Sequence, residues 1–194
     1  MMKKIVLPCI MIFSASYLFA QQADTAVRKT AATKVIEGGV ISVSQNLMEK
    51  LSASVNFSIL VKCIKASGNE NLFNSNVSIT FFAPNNKAFE NLPPGRLDTL
   101  LLPAHKMEFE NLILFHCLAG KITSGDIGKL IKVGNGKAIL TTLEGGILVA
   151  TINENRNIVL TDENGSQSVI SNFDMQQSNG VLDVVTAILI PKSK

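Results

Sequence analysis

Residues suited to stacking on bases or to acid-base catalysis are scarce in this chain. Its 194 residues include no tryptophan, one tyrosine and two histidines. The formal net charge is +3, and it falls to +1 once Lys3 and Lys4, which belong to the N-terminal targeting segment described below, are set aside. Nucleic-acid-binding proteins depend on a basic surface. A nearly neutral chain without a basic run therefore has no electrostatic basis for nucleic-acid binding.

Patterns typical of catalytic and metal sites are also missing. No Gly-x-Ser-x-Gly, His-Glu-x-x-His or phosphate-loop pattern occurs. His105 and His116 have no nearby carboxylate pattern, so they do not predict a metal site. His116 and Cys117 are adjacent, and adjacent helical side chains point about 100° apart, which is poor geometry for a Cys-His dyad. We expect no enzyme activity, no metal and no cofactor; catalysis would require His116 to be an exposed base in a cleft.

Cysteine is scarce as well. Cys63 and Cys117 remain when Cys9, in the targeting segment, is set aside. An even pair in an exported protein permits one disulfide. Both residues lie in apolar stretches typical of helices, so two buried free thiols fit the sequence equally well, and the spacing does not decide between the two.

The first twenty residues have the layout of a secretory signal peptide. Lys3 and Lys4 give a positive start, residues 5–20 are mostly apolar, and polar residues follow Ala20, where cleavage is expected. The apolar run is too short for a good membrane span, which needs about 20 residues. We predict a signal peptide over 1–20, no transmembrane segment after its removal, and a secreted or periplasmic protein.

The rest of the chain divides into a linker and one domain. Residues 21–43 are rich in Ala, Thr, Gln and charge without an apolar period, which predicts a flexible linker. Residues 44–191 are predicted to form one domain, since the exported chain has a normal length for a single hydrophobic core.

Helical patterns dominate the first half of the domain. Apolar residues recur at helical spacing between residues 60 and 67, and Gly68 is the expected C-cap. Further helices are predicted from residue 46, after Asn85 as a cap, and over 97–102 and 107–118.

Strand patterns dominate the second half. Single strands are predicted over 77–82 and 181–190. Two hairpins are predicted between them: one joins strands 138–143 and 147–152 through a turn at 144–146, and the other joins strands 157–161 and 168–173 through a turn at 162–165. Helices followed by strands predict an α+β domain with antiparallel strands rather than repeated βαβ units.

Three stretches match the motifs of one family in order. Residues 79–89, ITFFAPNNKAF, resemble a conserved box in which a strand runs through a Pro turn into a short helix. Residues 112–120, LILFHCLAG, resemble a Tyr-His segment, and residues 178–191, which begin SNGVLDVV, resemble a C-terminal box. On these motifs the chain resembles the fasciclin (FAS1) domain family over about residues 44–191. The sequence of residues 134–146 is most similar to that of bacterial members of the family.

The resemblance implies both a fold and a role. The fold is a wedge of antiparallel β-strands with helices packed over it. The role is non-catalytic adhesion or binding, with a protein, extracellular-matrix or cell-surface partner outside the cytoplasm. We expect a monomer. A carrier of a small apolar ligand or lipid, held in a cleft of the wedge, is the alternative, and a Leu- and Phe-lined pocket of roughly 300 Å³ or more would favour it.

The resemblance also implies a partner-binding segment. In animal members, integrin binding is tied to the Tyr-His segment and its flanking aliphatic residues, which correspond here to Leu112, Ile113, Leu114, Phe115, His116 and Leu118. Two positions depart from the family pattern: Phe115 replaces the usual Tyr, and Asp183 stands where the last box commonly has His. No Arg-Gly-Asp sequence is present.

Structural roles compete with these functional ones. His116 is expected at an apolar helix end, where a neutral imidazole can satisfy backbone groups, and we favour that role. The phenylalanines at 81, 82, 89 and 115 are expected in the core. Asp126 and Ile127 could form a surface contact, but a helix N-cap at 124–126 is favoured. Asn179 and Gly180 are expected to form a turn that sets the register of the last strand.

Overall fold

The computed structural model describes residues 33–36, 39–42 and 45–192. The predicted signal peptide lies outside the described residues, as does most of the predicted linker. Within the linker range, β1 (Thr33–Ile36) and β2 (Gly39–Ser42) pair as an antiparallel two-stranded sheet. The signal peptide and the linker stay predictions.

The helices in the described residues lie mainly in the first half of the domain, as expected. They are α1 (Leu47–Ser52), α2 (Ser58–Ser67), α3 (Glu70–Asn74), α4 (Asn86–Glu90), α5 (Arg96–Leu100), α6 (Lys106–Phe115) and α7 (Ser124–Val133). In this part of the chain no helix has the length and apolar content that a membrane span requires.

Local sequence explains where several helices begin and end. Asn46 and Glu49 form a capping box at α1, in which each side chain accepts a hydrogen bond from the other residue's backbone N–H at 2.8 Å. Asn85 caps α4 by accepting from the N–H of Ala88 at 3.0 Å, as predicted. α2 ends at Gly68, whose φ of +84° is a left-handed conformation that glycine adopts without strain.

The remaining strands form one seven-stranded sheet. They are β3 (Ile79–Pro84), β4 (Cys117–Ala119), β5 (Lys137–Thr141), β6 (Ile147–Ile152), β7 (Ile158–Thr161), β8 (Gln167–Gln177) and β9 (Gly180–Val185). Their order in the sheet is β4-β3-β9-β8-β7-β6-β5. The two predicted hairpins are confirmed as β5–β6 and β7–β8.

One strand pair departs from the antiparallel expectation. β3 and β9 run parallel, from Ile79 opposite Gly180 to Pro84 opposite Val185, whereas every other neighbouring pair in this sheet is antiparallel. Two strands joined by a short hairpin must be antiparallel, but strands separated by most of a domain are free to run either way. All elements from α4 to β8 lie between β3 and β9, so no local turn sets their relative direction.

The predicted ends of two apolar runs are wrong because an apolar run does not reveal how its backbone is paired. α6 ends at Phe115 rather than at residue 118, and Cys117 then pairs with Phe81 in the short strand β4. The last strand ends at Val185 rather than at residue 190. Beyond it, Ile188 and Leu189 are buried by packing without a strand partner. Both runs are apolar because they are buried, and burial does not require a helix or a strand.

The core contains the aromatic residues that the sequence placed there. Phe81, Phe82, Phe89 and Phe115 are all buried. Side chains alternate along β3, so Phe81 packs with the helices α1, α2 and α6, while Phe82 packs on the other face with α7 and strands β5 to β8. The ring of Phe81 also meets that of Phe73 edge-on, with centroids 4.7 Å apart. β3 is thus the shared wall of two clusters.

Both described cysteines are free and buried. Cys63 lies in α2 and Cys117 in β4. Burial raises the pKa of the Cys63 thiol to about 12 and also raises the pKa of Cys117. Of the two alternatives that the sequence left open, the structure has the pair of buried thiols.

Candidate functional site

The predicted partner-binding segment begins with the junction between α6 and β4. His116 follows the last residue of α6, and its N–H donates to the carbonyl of Ile113 at 3.1 Å. The His116 carbonyl accepts a hydrogen bond from the N–H of Phe82 at 2.9 Å, which begins the pairing of this segment with β3. The local sequence therefore passes from the helix into the sheet within two residues.

Both ring nitrogens of His116 are used by the backbone. Nδ1 lies 2.8 Å from the Leu112 carbonyl, and Nε2 lies 3.1 Å from the backbone N of Leu189. A carbonyl can only accept and an N–H can only donate, so the ring is a neutral imidazole with its proton on Nδ1. Burial lowers the pKa of His116 to about 4, against the opposing effects of the Leu112 hydrogen bond and the Asp162 charge. His116 is therefore a structural residue and has no free nitrogen to act as a base.

Most of the segment predicted to bind a partner is buried. The side chains of Ile113, Phe115, His116 and Leu118 are at most 2% exposed, Leu112 is 6% exposed, and Leu114 is half-buried. The Phe115 ring packs so closely on the β5–β6 turn that a Cβ atom on Gly146 would lie 2.6 Å from it. Direct contact between a partner and the Phe-His pair would require this part of the core to open. The partner-binding role of the six residues stays a prediction.

An open cleft lies beside the outer side of this segment. It has a volume of about 410 Å³ and is bounded by α5, α6, the β5–β6 turn and the chain after β9. Leu112, from the predicted segment, lines it together with Leu92, Leu100, Ile190 and Pro191. We call this feature the α5–α6 cleft. It joins residues about 100 positions apart, which no local pattern in the sequence could have revealed.

The rim of the cleft carries charges of both signs. Arg96 and His105 both bond to the Glu108 carboxylate, His105 through Nδ1 at 3.0 Å. Partial burial opposes ionisation of Glu108, but the hydrogen bonds from His105 and Arg96 outweigh it and lower the pKa of this carboxyl. Glu144 and Lys192 also line the cleft. An aliphatic floor beneath a mixed polar rim is the general form of a recognition site.

Asp183, one of the two departures from the family motifs, has a structural role. Asp183 is fully buried in β9, and its Oδ1 accepts a hydrogen bond from the N–H of Asp174 at 2.7 Å. Asp174 adopts a φ of +60° at a bulge in β8. Its carboxylate in turn accepts from the N–H of Ser124 at 2.7 Å, at the start of α7. Asp183 and Asp174 together thus link the last strand to the N-terminus of α7.

Asp126 is part of a helix cap, as favoured from the sequence. Thr123 and Asp126 form a capping box at the start of α7. Hydrogen bonds from Thr123, with a further contribution from Lys129, lower the pKa of Asp126 to about 2. Ile127 is buried in the core. Among the described residues, no group of three or more His, Cys, Asp or Glu side chains is arranged to hold a metal ion.

Comparison with known protein families shows to which family this chain belongs. The family model for the fasciclin domain matches residues 55–191. The chain belongs to the fasciclin domain family.

Relatives of this fasciclin domain differ greatly in length. Protein sll1483 of Synechocystis sp. is 26% identical over 186 residues, covering 94% of this chain and 96% of that protein. Uncharacterized protein sll1735 of the same organism is 30% identical over 132 residues, or 66% of this chain and 95% of its own length. Transforming growth factor-beta-induced protein ig-h3 of Oryctolagus cuniculus is 29% identical over 148 residues, but the chain spans only 20% of it.

Solved structures show the same fold. A FAS1 domain pair from the insect cell adhesion molecule fasciclin I superposes with a TM-score of 0.66, at 20% identity, over 75% of this chain and 51% of that one. At this identity the likeness establishes the fold alone. It confirms the predicted α+β fasciclin wedge with its helices mainly in the N-terminal half.

Proposed function

We propose that this fasciclin domain is a non-catalytic adhesion or binding module that works outside the cytoplasm and receives a protein or matrix partner in the α5–α6 cleft. The observation that carries the proposal is the position of Leu112, which belongs to the predicted partner-binding segment and lines an open cleft. Family membership supports the adhesive role, since one structural relative is a cell adhesion molecule. Export is supported by the predicted signal peptide.

The cleft suits an anchoring side chain from a partner. Its floor of Leu92, Leu100 and Leu112 would exclude water from one aliphatic or aromatic side chain, which is how binding hot spots gain most of their energy. Arg96 and Glu108 at the rim offer a donor and an acceptor to the polar backbone that flanks such an anchor. The remaining buried part of the segment holds α6 in place beneath it.

A carrier of a small apolar ligand is the second candidate. The size of the cleft favours it, but the lining contains Leu without the expected Phe. A volume of about 410 Å³ is within the range of ligand pockets, which begin at about 300 Å³. Half of the lining residues are charged or carry an amide, namely Arg96, Glu108, Asn111, Glu144 and Lys192. An aliphatic ligand would remove these groups from water and offer them no polar contact, at a cost. We therefore place the carrier second.

The test is capture of partners from envelope and matrix extracts by the exported chain. Asn111 is exposed at the cleft, so Asn111→Trp should fill the mouth and leave the core unchanged. Asn155→Trp adds the same bulk to an exposed turn far along the sequence and is the matched control. We expect Asn111→Trp to abolish capture while the control retains it and both keep the wild-type melting temperature. Undiminished capture by Asn111→Trp would exclude the cleft as the contact.

Two further measurements test whether Phe115 and His116 act only as scaffold, and whether the cleft binds a protein or a small ligand. Phe115→Ala and His116→Ala should lose capture only in proportion to the fraction unfolded, because both side chains are buried. Mass spectrometry of an organic extract of the purified chain tests the carrier. A stoichiometric apolar molecule that Asn111→Trp releases would favour the carrier over the adhesion module.

A further inference from the structure

The corner between α7 and β5 combines exposed lysines with exposed aliphatic side chains. Val133 is 83% exposed, Ile139 65% and Leu130 47%. The ammonium groups come from exposed residues of the same stretch. We call the set the lysine-aliphatic corner, and its members are Lys129, Leu130, Lys132, Val133, Lys137 and Ile139.

The backbone holds this corner in a compact turn. α7 ends at Val133, and the N–H groups of Gly134 and Gly136 donate to the carbonyls of Leu130 and Ile131 at 2.8 and 2.9 Å. β5 then begins at Lys137. Ile131 on α7 packs inward, and Lys132 and Val133, the last two residues of the helix, are exposed beside the turn.

The corner continues round the edge strand β5 to Lys137 and Ile139, which lie on the sheet face opposite the one that packs with α7. Side chains alternate along β5, where Ala138 and Leu140 are buried and Lys137 and Ile139 point to the opposite, exposed face. On β6, Val149 pairs with Ile139, and Ile147, which is 42% exposed, lies further along the same face. The strands β5 and β6 themselves carry no acidic side chain, since Glu144 and Glu154 lie in the turns. The nearest carboxylate to this face is that of Glu163, which accepts from the N–H of Ile147 at 3.4 Å, at the end of β6 away from Lys137.

The charge of the corner differs from that of the domain. Residues 45–192 contain 13 Asp and Glu against 12 Lys and Arg, whereas residues 127–139 contain three Lys and no acid. Lys129 is paired with Asp126 at 3.0 Å. Within the part of the chain that the structure describes, no carboxylate oxygen lies within 4.0 Å of the ammonium of Lys132 or Lys137. The corner is therefore a local positive region on a nearly neutral domain.

We propose that the lysine-aliphatic corner docks on the surface of an anionic lipid bilayer. A soluble polyanion would account for the lysines but would leave Val133 and Ile139 in water. A bilayer surface accepts both, because headgroups attract the ammonium groups while the aliphatic side chains enter the boundary between headgroups and acyl chains. The domain would then be held peripherally, and this proposal does not depend on the α5–α6 cleft.

Vesicle co-sedimentation tests the proposal with the exported chain. We expect binding to vesicles of equal parts phosphatidylglycerol and phosphatidylcholine, and weak binding to phosphatidylcholine alone. Lys132→Gln with Lys137→Gln should weaken binding about 25-fold, since each lysine near an anionic surface contributes about fivefold. Lys62→Gln with Lys65→Gln removes the same charge from exposed positions of α2 and should change binding less than about twofold.

The aliphatic half of the corner needs its own variant. Val133→Ser with Ile139→Thr should weaken vesicle binding about tenfold and remove the part that persists at high salt. Both side chains are exposed, so the melting temperature of this variant should stay near that of wild type. Equal losses in the α2 control would overturn the proposal, as would no binding to anionic vesicles. Unchanged binding by the aliphatic variant, with full competition by dextran sulfate, would show a polyanion site instead.

Discussion

The Nε2 atom of His116 accepts a hydrogen bond from the backbone N–H of Leu189 at 3.1 Å. This contact joins the end of α6 to the chain beyond the last strand, across 73 positions of sequence. The other ring nitrogen is held by the Leu112 carbonyl. The histidine of the Tyr-His-like segment therefore connects two segments of the scaffold. Its protonation should change the free energy of unfolding of the domain rather than take part in catalysis.

Stability should fall as the pH drops from about 6.5 to about 4. The folded-state pKa of His116 is lowered to about 4, below the unfolded value of 6.5, so the unfolded chain binds more protons in this window and acid favours unfolding. The loss should reach about 2–3 kcal/mol by pH 4.5 in urea unfolding.

The non-titrating variant His116→Gln provides the comparison for that pH effect. It should be less stable than wild type at pH 7 but should lose most of the pH dependence between 4.5 and 6.5. Asp126, whose pKa is lowered to about 2, contributes below this window. Glu108, whose pKa is also lowered, contributes at its lower edge in wild type and variant alike, so the difference between the two slopes reports His116. An unchanged slope in His116→Gln would show that another group carries the effect.

Gly180→Ala should destabilise the domain strongly. A Cβ atom at this position would lie 2.1 Å from the carbonyl oxygen of Ile79, its partner in the parallel β3–β9 pair. The strands would have to separate, at a cost of about 2–3 kcal/mol in chemical unfolding. Gly128→Ala is the matched control, because its Cβ would meet no atom within 4 Å in the middle of α7. That change should be neutral or stabilise by up to about 1 kcal/mol.

Asn179→Ala should also be costly, because its buried amide satisfies three backbone groups. Nδ2 donates to the carbonyls of Phe73 and Ser75 at 2.8 Å each, and Oδ1 accepts from the N–H of Leu47 at 2.9 Å. Leaving these groups unpaired should cost about 3–5 kcal/mol in chemical unfolding. Asn164→Ala removes two exposed contacts, to the carbonyls of Ile190 and Pro191, and should cost less than about 1 kcal/mol. Similar losses in the two variants would contradict this role.

The two cysteines should resist thiol reagents in the native state. Both are buried with raised pKa values, and the reactive form is the thiolate. In the exported chain, which lacks Cys9 of the predicted signal peptide, labelling with a maleimide at pH 7 should proceed only as fast as the domain opens. It should reach two thiols in denaturant. Rapid native labelling of either cysteine would show that its helix or strand opens locally.

Predictions that depend on neighbouring residues were accurate. The cap at Asn85 and the C-cap at Gly68 follow from residues within four positions, and the structure has both. The hairpin turns at 144–146 and 162–165 are likewise local, because a short loop allows only antiparallel pairing. The buried phenylalanines follow from hydrophobicity alone.

Predictions that depend on distant partners were less accurate. The apolar runs around Cys117 and Leu189 revealed burial but not whether the backbone would be a helix, a strand or irregular chain. Asn179 was expected in a turn, yet its bonds to Phe73 and Leu47 were invisible in the sequence. Each of these features pairs residues that are far apart in the chain.

The sequence by itself determined the α+β class, the family motifs and the aromatic core, because caps, turns and hydrophobic periodicity act over a few residues. The tertiary structure alone decided that β3 and β9 run parallel, that His116 is sealed between Leu112 and Leu189, and that α6 and the chain after β9 enclose a cleft. These features depend on how separate elements approach one another, and that approach is fixed by packing of the whole domain rather than by any local pattern.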